Sequence, residues 1–210
     1  MQFTDSNKEG QIAEDLMVKY WKSTDCDFID VRTDKFYQDL DVDFIVPKKG
    51  YTKEFCANVS DKREIKKYGH LVEIKLDKVI HSRYECKNGV LSHGTGNFVY
   101  EVISHNNPGC LARCYADLLI YVCVDVYEGV YKLEHVYLLD MYNLRKYMTK
   151  NYNKLKLKGL QNIDNIEENI LNILIPIKEI ENIGGVDKII KYDYVNELKR
   201  FFPNNKPIIK

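Results

Sequence analysis

His70-Leu71-Val72-Glu73-Ile74-Lys75 reads as a strand in which apolar residues frame a Glu and a Lys two positions apart. Successive strand side chains point to opposite faces, so Leu71, Glu73 and Lys75 share one face while Val72 and Ile74 share the other. A carboxylate and an ammonium side by side on so apolar a strand require a chemical reason.

Upstream, Asp41-Val42-Asp43-Phe44-Ile45-Val46 alternates in the same way before Pro47 and the turn Lys48-Lys49-Gly50 end it. A strand there places Asp41 and Asp43 on one face. Residues 26–32 alternate as a further short strand. Residues 5–22 read as an amphipathic helix with Ile12, Leu16, Lys19 and Tyr20 along one side and Asp5 or Ser6 as the N-cap.

Downstream of a charged stretch at Ser60–Lys67, the runs Asn97–Ser104, Ala116–Val126 and Tyr131–Leu139 are rich in β-branched and aromatic residues and predict strands. The turn Asn106-Asn107-Pro108-Gly109 and a short helical or irregular piece join the first two. Asp140 caps a helix from Met141 to about Met148, followed by the basic stretch Lys150–Lys158. Residues 171–177 read as a last strand, and 178–182 and 192–201 as helix. The pattern predicts an α/β fold with a central mixed β-sheet flanked by helices. It predicts a single domain over 1–210, with a core at about 5–140 and a C-terminal helix and strand extension at about 141–210.

Composition narrows the function classes. Lys+Arg and Asp+Glu balance at 31 each, so no global positive field announces a nucleic-acid partner, and any grip on one is a local patch or is shared with an accessory protein. No stretch approaches the roughly 18 uninterrupted apolar residues of a membrane helix, and no signal-peptide pattern opens the chain. Cys26, Cys56, Cys86, Cys110, Cys114 and Cys123 form no CxxC pair, which argues against zinc or iron–sulfur centres and for free thiols in a reducing cytoplasm. His70, His81, His93, His105 and His135 show no metal-ligand spacing.

Adjacent strands bring an Asp from the 41–46 run close to Glu73, and their oxygens suit Mg²⁺ or Mn²⁺. Lys75 emerges on the same face, where its point charge contacts a phosphate and an attacking water. Such a set performs phosphodiester hydrolysis: the cation neutralises phosphate charge and acidifies water.

Asp43 followed by Glu73-Ile74-Lys75 resembles the bipartite signature of the PD-(D/E)XK nuclease superfamily, with Val42 where the usual Pro stands. The resemblance favours Asp43 over Asp41, because Asp43 directly precedes the apolar run Phe44-Ile45-Val46. Lys8-x-Gly10-x-x-x-Glu14 is similar to the start of the archaeal Holliday-junction resolvase branch, whose helical Glu joins the metal cluster; by that match Glu14, ahead of Glu9, is the third ligand. Thr95–Glu101 with Ser104, Pro108-Gly109 and Ala116-Asp117, and later Leu144-Arg145 and Ile175-Pro176, resembles phage-encoded members of the superfamily. The resemblance covers about residues 8 to 180.

It implies a restriction-endonuclease-like core and a metal-dependent DNA endonuclease with Asp43, Glu73 and Glu14 on Mg²⁺ (or Mn²⁺) and Lys75 completing the catalytic set. It also implies DNA as partner without saying which DNA, branched or duplex DNA being the first hypothesis, with a homodimer in the junction-resolving version and the host cytoplasm if phage-encoded. RNA as substrate, and a catalytically silent descendant acting as a DNA-binding or inhibitory protein, stay open as alternatives. Glu101, mid-strand among apolar neighbours, stands as a partner of Lys75, a surface residue or a metal ligand. Residues Arg145–Lys158, with Tyr142, Tyr147 and Tyr152, read either as a backbone-following surface or as a solvated helix and loop.

Overall fold

The computed structural model describes residues 3–77, 84–85, 91–92, 96–104, 107–127, 130–157, 161–165, 170–176 and 190–191. In chain order the elements are α1 (Phe3–Ser23), β1 (Ile29–Asp30), α2 (Lys35–Gln38), β2 (Phe44–Pro47), α3 (Lys53–Ala57), a 3-10 turn (Lys62–Lys67) and β3 (Gly69–Asp77). There follow β4 (Tyr84–Glu85), β5 (Leu91–Ser92), β6 (Asn97–Ser104), β7 (Asn107–Pro108), α4 (Cys110–Arg113), β8 (Leu118–Tyr127) and β9 (Val130–Asp140). Last come α5 (Met141–Leu157), β10 (Gln161–Asn165), β11 (Ile170–Pro176) and β12 (Ile190–Lys191).

The main sheet runs β1-β2-β3-β8-β9-β12. All its neighbours are antiparallel except β3 and β8, which are parallel, so the sheet is mixed and flanked by helices, as the sequence predicts at this coarse level. A second sheet, β10-β11-β6-β7, was not foreseen; it joins β6 to β11, far apart in the chain. The C-terminal segments do not stand apart from the core: β11 pairs with β6, and Met141, Leu144, Met148 and Leu155 of α5 are buried in it.

The two faces of the main sheet are covered differently. On one, α1 lays Ala13, Met17 and Trp21 against Phe44, Val72, Ile74 and Ile120. Of the expected stripe through Ile12, Leu16, Lys19 and Tyr20, Tyr20 is buried and Leu16 packs against the same cluster, whereas Lys19 is exposed; the most buried line runs through Ala13, Met17 and the bulky Trp21. The helix also begins at Phe3, so Asp5 and Ser6 lie inside it and are not its caps. On the other face, Leu71, Leu119 and Tyr121 pack against Phe98 and Tyr100 of β6, Ile173 of β11, and α5.

Local chemistry explains several boundaries. Asp140 Oδ1 accepts from the Asn143 N–H at 3.0 Å and starts α5, which then runs through the basic stretch to Leu157 and past the expected end at Met148. At Gly109 any Cβ would come within 2.2 Å of the Glu101 carbonyl oxygen, so the turn between β7 and α4 admits only glycine. The strand expected at 26–32 shrinks to Ile29–Asp30, and the expected helices at 178–182 and 192–201 lie outside the described residues.

Candidate functional site

The antiparallel register pairs Phe44 with Val72, which sets the preceding Asp43 opposite Glu73. The Asp43 N–H donates to Val72 O at 2.9 Å, and the Ile74 N–H donates to Asp43 Oδ2 at 2.8 Å. Asp43 is thus fixed against the backbone of the strand that carries Glu73 and Lys75. Asp43 and Glu73 are close enough to act on each other's ionisation.

Glu73 is buried, 4% exposed, and its carboxylate is ion-paired to the Lys75 ammonium. The Lys75 side chain as a whole is 41% exposed, while its ammonium is drawn in against the buried carboxylate. The two residues sit at adjacent same-face positions of β3, as the alternation predicts. Tyr121 of the neighbouring parallel strand stands at the Lys75 register, and its hydroxyl donates to Val99 O.

Glu14 approaches from α1. It is close enough to Asp43 to act on its ionisation, but its carboxylate is held by Arg32, with Nη1 to Oε2 at 2.9 Å. Arg32 also contacts Asp15 at 3.2 Å and Asp30 at 2.6 Å and lies over the Phe44 ring, 5.0 Å from its centroid. This clamp has no signature in the sequence, because Arg32 and Glu14 are brought together by the packing of α1 on the sheet. Glu9 has no described side chain.

Asp41 and Asp43 do not share a strand face as expected. Asp41 takes φ +50 before β2 begins, a left-handed turn conformation that Asp tolerates, and its Oδ2 accepts from Arg113 Nε at 2.6 Å. Asp43 is therefore the aspartate that faces Glu73. Glu101 Oε2 accepts from the Cys110 N–H at 3.4 Å, at the start of α4. The Cys110 thiol lies beside Glu73 and Lys75, a neighbour that sequence spacing does not reveal.

The electrostatics follow from burial. Asp43 is pushed up to about 6, first by burial and then by the negative charge of Glu14, with the Ile74 N–H and Lys75 pulling the other way. Burial also raises Glu73 well above the carboxylate range, Lys75 opposing and Asp43 adding to it. Burial weighs against the charge on Lys75, yet the Glu73 carboxylate outweighs it and keeps the ammonium protonated. Two facing carboxyl groups that resist ionisation mark a place where added positive charge is strongly favoured.

That donor set suits a hard divalent cation at Asp43 and Glu73. Glu14 is the third candidate donor, with its Oε2 taken by Arg32. As they stand, no three His, Cys, Asp or Glu side chains among the described residues close around one point. Among the described residues no helix is long and apolar enough to cross a membrane. No protein-family model, no curated protein and no solved structure matches the chain.

Proposed function

We propose that the chain is a metal-dependent nuclease of the PD-(D/E)XK type that hydrolyses phosphodiester bonds of DNA. The observation that carries this reading is the register of β2 on β3, which sets Asp43 opposite Glu73 with Lys75 on the same face. Asp43 and Glu73, with Glu14, would hold Mg²⁺ or Mn²⁺, which would supply neutralisation of phosphate charge and acidification of water.

The chain's own residues supply the rest. Lys75, its ammonium held by the Glu73 carboxylate on a side chain that is 41% exposed, presents its positive charge to a phosphate oxygen and orients the attacking water. Glu73, buried and hydrogen-bonded, keeps that ammonium in place. The Ile74 N–H holds one oxygen of Asp43 in place. Arg32 neutralises the Glu14 carboxylate.

The test is cleavage of linear duplex, single strand, four-way junction and RNA by the wild-type chain with Mg²⁺, with Mn²⁺ and with EDTA. Cutting of a DNA member that EDTA abolishes is the expected result and names the substrate. Cutting of RNA alone moves the activity to RNA, and no cutting of any member with either cation favours the silent binding protein.

A further inference from the structure

Next to the carboxylates, and lined by none of them, lies a cavity of about 180 Å³. Its apolar walls are Phe36, Leu40, Ile65 and Leu71, and its rim carries Tyr115 with Lys62, Arg63 and Lys66. Two of the wall residues come from the segments that deliver the candidate site. Leu71 precedes Glu73 by two residues on the same face of β3, a rise of about 7 Å, and Leu40 precedes Asp43 by three. Tyr115 is tied to this place by its N–H to Leu40 O at 2.8 Å.

The chemistry of the lining is that of a nucleotide. Apolar walls accept the faces of a heterocyclic base, and Tyr115, 49% exposed, offers a ring for stacking. Lys66 Nζ sits 3.7 Å from the Tyr115 ring centroid and Lys62 Nζ 5.7 Å from that of Phe36, so each aromatic has an ammonium beside it. Base and phosphate are offered together. The volume falls below the roughly 300 Å³ at which drug-sized ligands begin, which suits one ring system.

We infer that this cavity holds one nucleotide of the substrate strand out of its stack, its base between Tyr115 and the partly exposed Phe36–Leu40 wall and its phosphate on Lys62 and Lys66, while the neighbouring phosphodiester lies at Lys75. The inference rests on the nuclease reading and names its substrate form: a strand that is single or locally opened. Lys62 is already paired with Asp34, Arg63 with Asp61 at 2.8 Å, and Lys66 with Asp117 at 3.0 Å. Selectivity is therefore short-range, and the expected dependence of log affinity on log salt is shallow, a slope of about −1.4 for two phosphate contacts on a single strand.

The experiment is fluorescence of a short single-stranded deoxyoligonucleotide carrying one 2-aminopurine, titrated with the full chain in EDTA so that binding is read without cleavage. An abasic strand of equal length is measured by competition. The wild type is expected to change the 2-aminopurine signal and to prefer the base-bearing strand at least tenfold. Tyr115→Ala and Lys66→Ala should each weaken binding about tenfold or more, whereas Tyr115→Phe, which keeps the ring, should bind as the wild type does.

Equal affinity for the abasic strand, or unchanged binding by Tyr115→Ala, overturns the inference. Competition by polyglutamate as effective as that by the base-bearing strand also overturns it and assigns the cavity to acidic peptide. Metal-dependent cleavage measured alongside separates the two readings. If it is present, only the nucleotide pocket has failed; if it is absent together with binding, the nuclease reading has failed as well.

Discussion

Asp43 holds its proton to a higher pH than an ordinary aspartate, about 6 against 3.8, because it is largely buried and faces other carboxylates. Below about pH 4 the group is neutral in both the folded and the unfolded chain, and its contribution to stability is complete. As pH rises through 6 the folded chain must ionise it in an unfavourable place, and on the order of 3 kcal/mol of stability is lost. Asp43→Asn, which keeps an oxygen for the Ile74 N–H, is therefore expected to lose less stability than the wild type between pH 4 and pH 6 in urea titrations without divalent cations. Parallel pH profiles for the two proteins contradict the assignment of that charge cost to Asp43. Lys75→Ala is expected to lower cleavage about 10²- to 10³-fold, with Lys75→Arg recovering part of it; full activity in Lys75→Ala removes Lys75 from the chemistry. At this scale the sequence was informative because strand alternation alone sets Glu73 and Lys75 on one face. It was silent on Arg32 and Cys110, whose places beside Glu14 and Glu73 come from packing between elements distant in the chain.

The elements that matter most are the β2–β3 pair and the helix that covers it. Trp21 on α1, fully buried, packs edge-on against Phe44 with ring centroids 5.1 Å apart and tilted against Phe28 at 5.2 Å. Those contacts fix the rotation of α1 and with it the place of Glu14, seven residues earlier and two helical turns away. Trp21→Ala is expected to cost about 3–5 kcal/mol in chemical denaturation; a loss below 1 kcal/mol contradicts the packing described. The strands β3, β6, β8 and β9 were legible because each is a long run of β-branched and aromatic residues between turn signals. Asp41 was misread because its alternation with Asp43 is genuine in the sequence, while its backbone turns left-handed to meet Arg113, 72 residues away. The pairing of β11 with β6 was likewise invisible: alternation defines a strand but does not choose its partner.

Across the whole molecule, net charge is zero, so attraction to a polyanion arises from the arrangement of local groups rather than from a global field. The mixed sheet with helices was legible as a class from the order of its elements, whereas the separate sheet β10-β11-β6-β7 was not, because it depends on pairing between strands distant in the chain. If the facing carboxylates take a divalent cation, millimolar Mg²⁺ should raise the melting temperature of the wild type and leave that of Asp43→Asn unchanged; equal responses place the cation elsewhere. The central claim is that Asp43, Glu73 and Lys75 form a hydrolytic centre, and its most direct test is the Mg²⁺-dependent cleavage rate of Glu73→Gln on the nucleic acid that the wild type cuts. A fall of 10³-fold or more is expected, with the variant still unfolding cooperatively in urea at pH 7, since glutamine fills the same buried space. Cleavage by a folded Glu73→Gln at the wild-type rate contradicts it.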